Sequence, residues 1–274
     1  MNIAIVGLGL IGGSFAKTIK AKTTHNVYGL DTDPDVQNFA RSCGYITAIT
    51  AQELKKADIT LVCLNPDAAV DFVMQNINCF SPGSVVLDIC GVKEPVVRKL
   101  SAPLAEKNIV FLGTHPMAGR EYSGFEYSLP DLFDGASWIL TPEPSTSPNA
   151  VRLVRMLGEQ LGFDVVISDA KRHDELIAYT SQLAHITSNA YIKSPAVANH
   201  KGFSAGSFLD LTRIARVNED MWTSLMMLNR ENLSAELGIL IGNLTEYKNA
   251  LDQNDGQKLK ELLKSGSDIK KSIK

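Results

Sequence analysis

Cysteine is scarce in this chain and none of it is paired in sequence. Cys43, Cys63, Cys79 and Cys90 are the only thiols in 274 residues, and no CxxC spacing occurs. That excludes a disulfide framework and a thiolate metal clip. The five histidines form neither HxxxH nor HExxH, so no structural or catalytic metal is expected. Charge of one sign is also lacking. The net charge is −3 with both signs scattered, which argues against a nucleic-acid groove or a membrane-surface face and makes individual cations matter for an anionic ligand. The apolar start, residues 1–15, has no basic leader. No targeting or transmembrane segment is therefore expected, and reduced thiols suit a cytoplasmic setting. Internal repeats and low-complexity tracts are missing too.

What is present is rhythm. Short β-rich runs at Asn2–Val6, Asn26–Leu30, 59–64, 84–89, 109–112, Ser137–Thr141 and Asp164–Ile167 alternate with helical stretches, the pattern of a mostly parallel sheet built from βαβ units. Asp33-Pro34 reads as an N-cap followed by proline at the first helical position, and Gly44 as the stop of that helix. After Ser168 the strand signals cease, and residues from Ala170 onward read as helix with breaks near Ser194-Pro195, Lys201-Gly202 and Asp255-Gly256. The length suits two domains at roughly 150 residues each, and the expected division is 1–169 and 170–274. In the second part Leu233, Leu237, Leu240, Leu244, Tyr247 and Leu251 recur at spacings of four and three, drawing one apolar seam down a helix. Such a seam faces either its own core or a second copy, and a homodimer is expected.

Gly7-Leu8-Gly9-Leu10-Ile11-Gly12 follows the first strand and opens a helix. In that context GxGxxG is a dinucleotide fingerprint: Gly7 permits the tight turn, Gly9 the approach of pyrophosphate, and Gly12 close helix–strand packing. Leu8 and Ile11 lie within the same loop, whose helix N-terminus offers oriented N–H donors. Asp31 ends the second strand, where a carboxylate accepts both adenosine-ribose hydroxyls and repels a 2′-phosphate. NAD is therefore favoured over NADP. Asn65-Pro66, after the 59–64 run, stands where such folds turn toward the nicotinamide side, although a plain turn explains it equally well. The fold class expected is an α/β Rossmann-type N-terminal domain with a mostly parallel sheet, followed by an all-α C-terminal domain.

His115 lies in Gly113-Thr114-His115-Pro116-Met117-Ala118-Gly119, at the start of a stretch from 114 to 135 without clear periodicity. An imidazole on a Gly/Pro-shaped loop downstream of a nucleotide loop is a group able to take a hydroxyl proton as hydride leaves. Ser181 and His185 are four apart and share one helix face; a histidine there is either a hydrogen-bonded core residue or a ligand. Arg213 and Arg216 are three apart on a helical stretch, and either guanidinium suits a carboxylate. His25 and His200 have no supporting neighbours, and His173 falls on a different turn, nearer the domain junction.

Five stretches together closely resemble the prephenate/arogenate dehydrogenase family: the Gly-rich loop, Asp88-Ile89-Cys90-Gly91-Val92-Lys93, Thr114-His115-Pro116-Met117-Ala118-Gly119-Arg120-Glu121, Ser181-Gln182-Leu183-Ala184-His185, and Asp210-Leu211-Thr212-Arg213-Ile214-Ala215 with Trp222. The match runs along nearly the whole chain in the family's order. The resemblance implies a Rossmann-type domain, a helical dimerisation domain, and NAD-dependent oxidative decarboxylation of a dicarboxylate cyclohexadienol in tyrosine biosynthesis. It also implies that His115 is the catalytic histidine, that His185 and Ser181 line the substrate pocket, that Arg213 holds a substrate carboxylate, and that Glu121 is an acidic residue at the entrance. Two positions depart from the family: Gly91 stands where many members carry serine, and Leu209 where some carry lysine. Prephenate is the expected substrate, with arogenate the near alternative. An imino-acid reductase or 3-hydroxyacid dehydrogenase, or an NAD-binding sensor without turnover, are readings of other classes. No appended amino-acid-binding regulatory domain is expected after the helical seam.

Overall fold

The computed structural model describes residues 1–120 and 122–273. Strands and helices alternate as β1 (Asn2–Val6), α1 (Leu10–Lys22), β2 (Asn26–Leu30), α2 (Pro34–Ser42), β3 (Thr47–Ala48), β4 (Ile59–Val62), α3 (Pro66–Gln75), β5 (Val85–Asp88), α4 (Glu94–Ala105), β6 (Val110–Pro116), β7 (Ser137–Thr141), α5 (Pro148–Leu161) and β8 (Asp164–Ile167). They build one eight-stranded sheet in the order β3-β2-β1-β4-β5-β6-β7-β8. Every neighbouring pair is parallel except β6 and β7. The order reverses between β1 and β4, the switch point at which doubly wound sheets open a crevice beyond their carboxyl ends.

Side-chain alternation explains the two-sided core. Ile3 and Ile5 of β1 join Phe15 and Ile19 of α1, while Ala4 and Val6 join Val73 of α3 and Leu100 of α4 on the opposite face. Successive strand residues point to opposite faces, so a strand buried on both sides reads as a continuous apolar run. Helix entry follows the sequence as expected: the Asp33 side chain accepts from the backbone N–H of Asp35 and Val36 at the start of α2, and Gly44 closes that helix at φ +78°.

Two expectations need correction at β6. The strand continues through Thr114, His115 and Pro116, so His115 stands on a strand end and not on a loop. The cause is a change of partner. Val110 to Leu112 pair in parallel with β5, and Gly113 to Pro116 then pair antiparallel with β7, setting His115 opposite Ile139. The long aperiodic stretch accordingly begins later than expected, and it contains a short 3₁₀ turn at Phe125–Tyr127.

From Ala170 onward the described residues are helical apart from turns: α6 (Ala170–Ile177), a π-helical turn at Ala178–Gln182, α7 (Leu183–Tyr191), α8 (Gly206–Thr212), α9 (Glu219–Leu228), α10 (Arg230–Asp252) and α11 (Gly256–Ser272). The chain forms two compact units. One holds residues 1–177 with 216–228, so α6 and α9 belong to the sheet unit; the other holds 178–215 and the residues from Asn229 onward. Among the described residues no helix is long and apolar enough to cross a membrane.

Candidate active site

The turn from β1 into α1 has the geometry a dinucleotide requires. Gly7 adopts φ +84°, and a Cβ on it would stand 2.6 Å from the Cys63 carbonyl oxygen at the end of β4. A Cβ on Gly12 would stand 1.9 Å from the carbonyl oxygen of Gly7, whereas one on Gly9 meets nothing within 4 Å. Two of the three glycines are therefore demanded by packing, and the third leaves an open approach to the helix N-terminus. Leu8 is buried, and Ile11 half-buried. The half-buried Asp31 carboxylate accepts from the backbone N–H of Leu8 at 2.6 Å and of Asp33 at 2.9 Å. It ties the glycine loop to β2 and still has lone pairs for a ribose diol. Asn65 is exposed at the mouth of the β4–α3 turn, with Pro66 at the first helical position.

His115 lies one residue before the end of β6, at the same carboxyl edge of the sheet to which β1 delivers the glycine loop. Its half-buried ring has Nδ1 2.9 Å from Nε2 of His173 on α6. Nδ1 of His173 lies 2.7 Å from a carboxylate oxygen of Asp174. Burial, followed by the neighbouring His173 and Lys93, pushes the His115 imidazole well below its ordinary value, so it is neutral at pH 7 and suited to accept a proton. A Cβ on Gly91 would stand 3.8 Å from Nε2 of His115 and 3.5 Å from Leu225 of α9. The absent side chain thus leaves space beside that nitrogen. Cys90 does not fill it, because its thiol faces the Leu64 carbonyl at 3.7 Å.

In the second unit His185 on α7 lies with Nδ1 3.1 Å from the Ile214 carbonyl, and Asn189 donates to the Ala215 carbonyl at 3.1 Å. The segment Arg213-Ile214-Ala215 is thereby pinned along α7. Burial pushes the His185 imidazole down, and the Arg213 charge acts in the same direction. Arg213 caps the end of α8 and is exposed. Ser181 sits on the widened π turn, not on a regular α turn, so its four-residue spacing to His185 does not give simple α-helical alignment. Leu209, at the position where some relatives carry lysine, is exposed on α8. Glu121 lies outside the described residues.

The family model described as prephenate dehydrogenase, nucleotide-binding domain, matches residues 15–167, and that described as prephenate dehydrogenase, dimerization domain, matches residues 169–265. The chain belongs to the prephenate dehydrogenase family. A cyclohexadienyl dehydrogenase of Zymomonas mobilis is 28% identical, with 100% of this chain and 96% of the relative covered. A prephenate dehydrogenase of Lactococcus lactis is 29% identical, with 99% and 77% covered. Among solved structures, the prephenate dehydrogenase of A. aeolicus in complex with hydroxyphenyl propionate and NAD+ superposes with a TM-score of 0.89 at 28% identity, covering 100% of this chain and 98% of the other.

Four residues beside His115 have no role assigned by the sequence, although Asp88 and Lys93 stand in one of the resembling stretches and His173 falls near the domain junction. Lys93 and Asp88 form a fully buried ion pair, in which Lys93 also donates to the Thr114 carbonyl at 2.7 Å. Asp88 accepts from the Thr114 N–H at 3.0 Å and the Cys90 N–H at 2.9 Å. This network locks the segment just before His115 to the end of β5. His173 and Asp174 complete the group from α6, with Asp174 accepting from the backbone N–H of Lys93 at 2.7 Å and of Glu94 at 2.9 Å. The available signal was a His-Asp pair flanked by Arg172 and Glu175 on a polar helix, which sequence alone does not connect to a residue 58 positions earlier. Among the described residues no group of three or more His, Cys, Asp or Glu side chains is placed to hold a metal ion.

Proposed function

We propose that this chain is an NAD-dependent prephenate dehydrogenase that oxidatively decarboxylates prephenate to 4-hydroxyphenylpyruvate, with His115 as the proton acceptor. The observation that carries the reading is a neutral imidazole at the carboxyl edge of the sheet whose first βα turn is the dinucleotide loop. Gly7, Leu8, Gly9, Ile11 and Gly12 form the pyrophosphate turn, Asp31 the ribose acceptor, and Asn65 the neighbouring turn. Bound NAD supplies the hydride acceptor. As hydride leaves the ring carbinol carbon the hydroxyl becomes acidic, and Nε2 of His115 takes its proton. Loss of carbon dioxide from the ring carboxylate restores aromaticity and leaves a phenolate oxygen, to which the imidazolium returns that proton. Prephenate and NAD+ thus give 4-hydroxyphenylpyruvate, carbon dioxide and NADH with no net proton.

In this reading residues 1–169 form the NAD-binding domain and 170–274 the substrate and dimerisation domain. Arg213 forms paired hydrogen bonds to a substrate carboxylate, Ser181 and His185 line the pocket, and Glu121 stands at its entrance. The homodimer forms through the helical unit, whose α10 exposes Ile241, Leu244 and Leu251. Four free thiols fit a reducing cytoplasmic setting. A second reading, arogenate as substrate, draws on the broader name of the Zymomonas relative. The test follows NADH appearance with prephenate and with arogenate separately, in the parent, His115→Asn and Arg213→Ala. We expect His115→Asn to lower kcat by about 100-fold or more and Arg213→Ala mainly to raise KM for the dienol. Near-normal kcat in His115→Asn removes the histidine from its role, and turnover of arogenate alone exchanges the substrate.

A further inference from the structure

We propose that His173 and Asp174 are positioning residues that fix the tautomer of His115 through a carboxylate–imidazole–imidazole chain, so that Nε2 of His115 carries the lone pair. The proposal rests on the reading of His115 as proton acceptor. Its geometry is a continuous line of short contacts inside the sheet unit. Asp174 is held at one end by two backbone donors, the N–H groups of Lys93 and Glu94 at 2.7 and 2.9 Å, at the N-terminus of α4. That placement favours a carboxylate, since oriented N–H groups and the helix dipole both stabilise negative charge there. An ionised carboxylate only accepts, so the 2.7 Å contact requires a hydrogen on Nδ1 of His173. With a single hydrogen on that ring, held on Nδ1, Nε2 of His173 is an acceptor. The 2.9 Å contact with His115 requires the hydrogen to lie on Nδ1 of His115, which leaves Nε2, the nitrogen beside Gly91, as the base.

His173 and Asp174 are buried, so no water competes freely for these contacts, and each lies in the first turns of α6, which packs against α4. Among the described residues the charged groups beside His115 are this pair and the buried Lys93–Asp88 ion pair, whose lysine still disfavours a cation on His115. The Asp174 carboxylate, joined to His115 through His173, contributes negative charge that stabilises an imidazolium forming on His115. When His115 accepts the substrate proton, its Nδ1–H stays shared with His173, and the cation is stabilised without a proton having to reach Asp174. The chain also accounts for how this protein orients its imidazole with glycine at position 91.

The experiment combines kinetics with ¹⁵N histidine spectra of full-length protein. In the parent at pH 7.5 the His115 spectrum is expected to show hydrogen on Nδ1 and none on Nε2; hydrogen on Nε2 would overturn the assignment. His173→Leu removes the acceptor, and kcat is expected to fall by about 10- to 100-fold with both KM values held within about threefold, while the Nε2–H form of His115 appears. His173→Gln places an amide oxygen near the lost nitrogen and should recover most of that rate. Asp174→Asn removes the balancing charge, so kcat falls and the acidic limb of the pH profile moves to lower pH. Because Asp174 also caps α4, thermal unfolding accompanies each variant, and His173→Gln with His173→Leu decides the matter if Asp174→Asn does not fold. A purely structural role predicts loss of stability with an unmoved tautomer and limb, and that outcome sinks the proposal. If His115→Asn stays active, the reading of His115 fails first; if only the His173 and Asp174 variants behave as the parent, the chain fails alone.

Discussion

A single imidazole links the proposed chemistry to an acid weakness of this fold. His115 is near 6.5 in an unfolded chain and well below that value here, because burial and the adjacent His173 and Lys93 disfavour the cation. The unfolded chain therefore binds the proton first. The contribution to stability is intact above about pH 6.5 and is lost as pH falls from there toward the folded value, at no more than about 1.4 kcal/mol per pH unit for one site. The half-open ring makes the actual slope smaller. Denaturant titrations of the parent and His115→Gln at pH 7.5 and 5.5 should show the parent losing more stability over that interval; equal losses would assign the acid sensitivity elsewhere. A second residue-scale prediction concerns Gly91. A Cβ there makes only ordinary contacts, at 3.5 Å to Leu225 and 3.8 Å to Nε2 of His115. Gly91→Ser should fold with an unchanged melting temperature and place a hydroxyl within reach of Nε2. Donation to the neutral ring disfavours its protonation, so the acidic limb of kcat/KM should move to lower pH; a destabilised variant would mean that the space is not there.

At the scale of the element, the β1–α1 turn separates packing from binding. Gly12 and Gly9 belong to one motif, yet a methyl on Gly12 collides with the Gly7 carbonyl while one on Gly9 projects into open space. Gly9 also has φ −69° and ψ −156°, which alanine accepts. We expect Gly9→Ala to melt as the parent does but to raise KM for NAD by about tenfold or more, and Gly12→Ala to lose folded protein. Equal effects in calorimetry would show that the two glycines do the same job. This motif was legible because its chemistry is local, and the strands β1, β2, β7 and β8 were legible because each is a bounded apolar run. β6 was not. Its extension to His115 depends on β7 taking over the pairing where β5 ends at Asp88, and no property of residues 113–116 announces that Ile139 will stand opposite His115. The Ala178–Gln182 π turn was likewise hidden, since an inserted residue leaves helical composition unchanged. His173 and Asp174 read as ordinary helix residues, and only the folded packing of α6 beside the end of β6 joins them to His115.

On the scale of the whole molecule, the second unit leaves apolar surface that one chain does not cover. The seam seen in sequence is buried at Leu233, but Leu244 and Leu251 are 57% and 63% exposed, and Ile239 and Ile241 on the same helix are exposed as well. α11 adds Leu263 and Ile269. Apolar area is worth about 25 cal/mol per Å² when removed from water, and monomers seldom leave large contiguous patches uncovered. The proposed homodimer through this unit would bury that surface with the same residues on both sides of a twofold axis. Sedimentation at micromolar concentration should then give twice the chain mass, and the melting temperature should rise with protein concentration, since association stabilises the folded state by mass action. The double variant Leu244→Glu with Leu251→Glu introduces charges that an exposed helix face tolerates and a buried interface does not. It should sediment as a monomer with undiminished helical signal and a melting temperature independent of concentration. A parent protein that already sediments as one chain, with no dependence of melting on concentration, would leave this face to some other partner and remove the dimer.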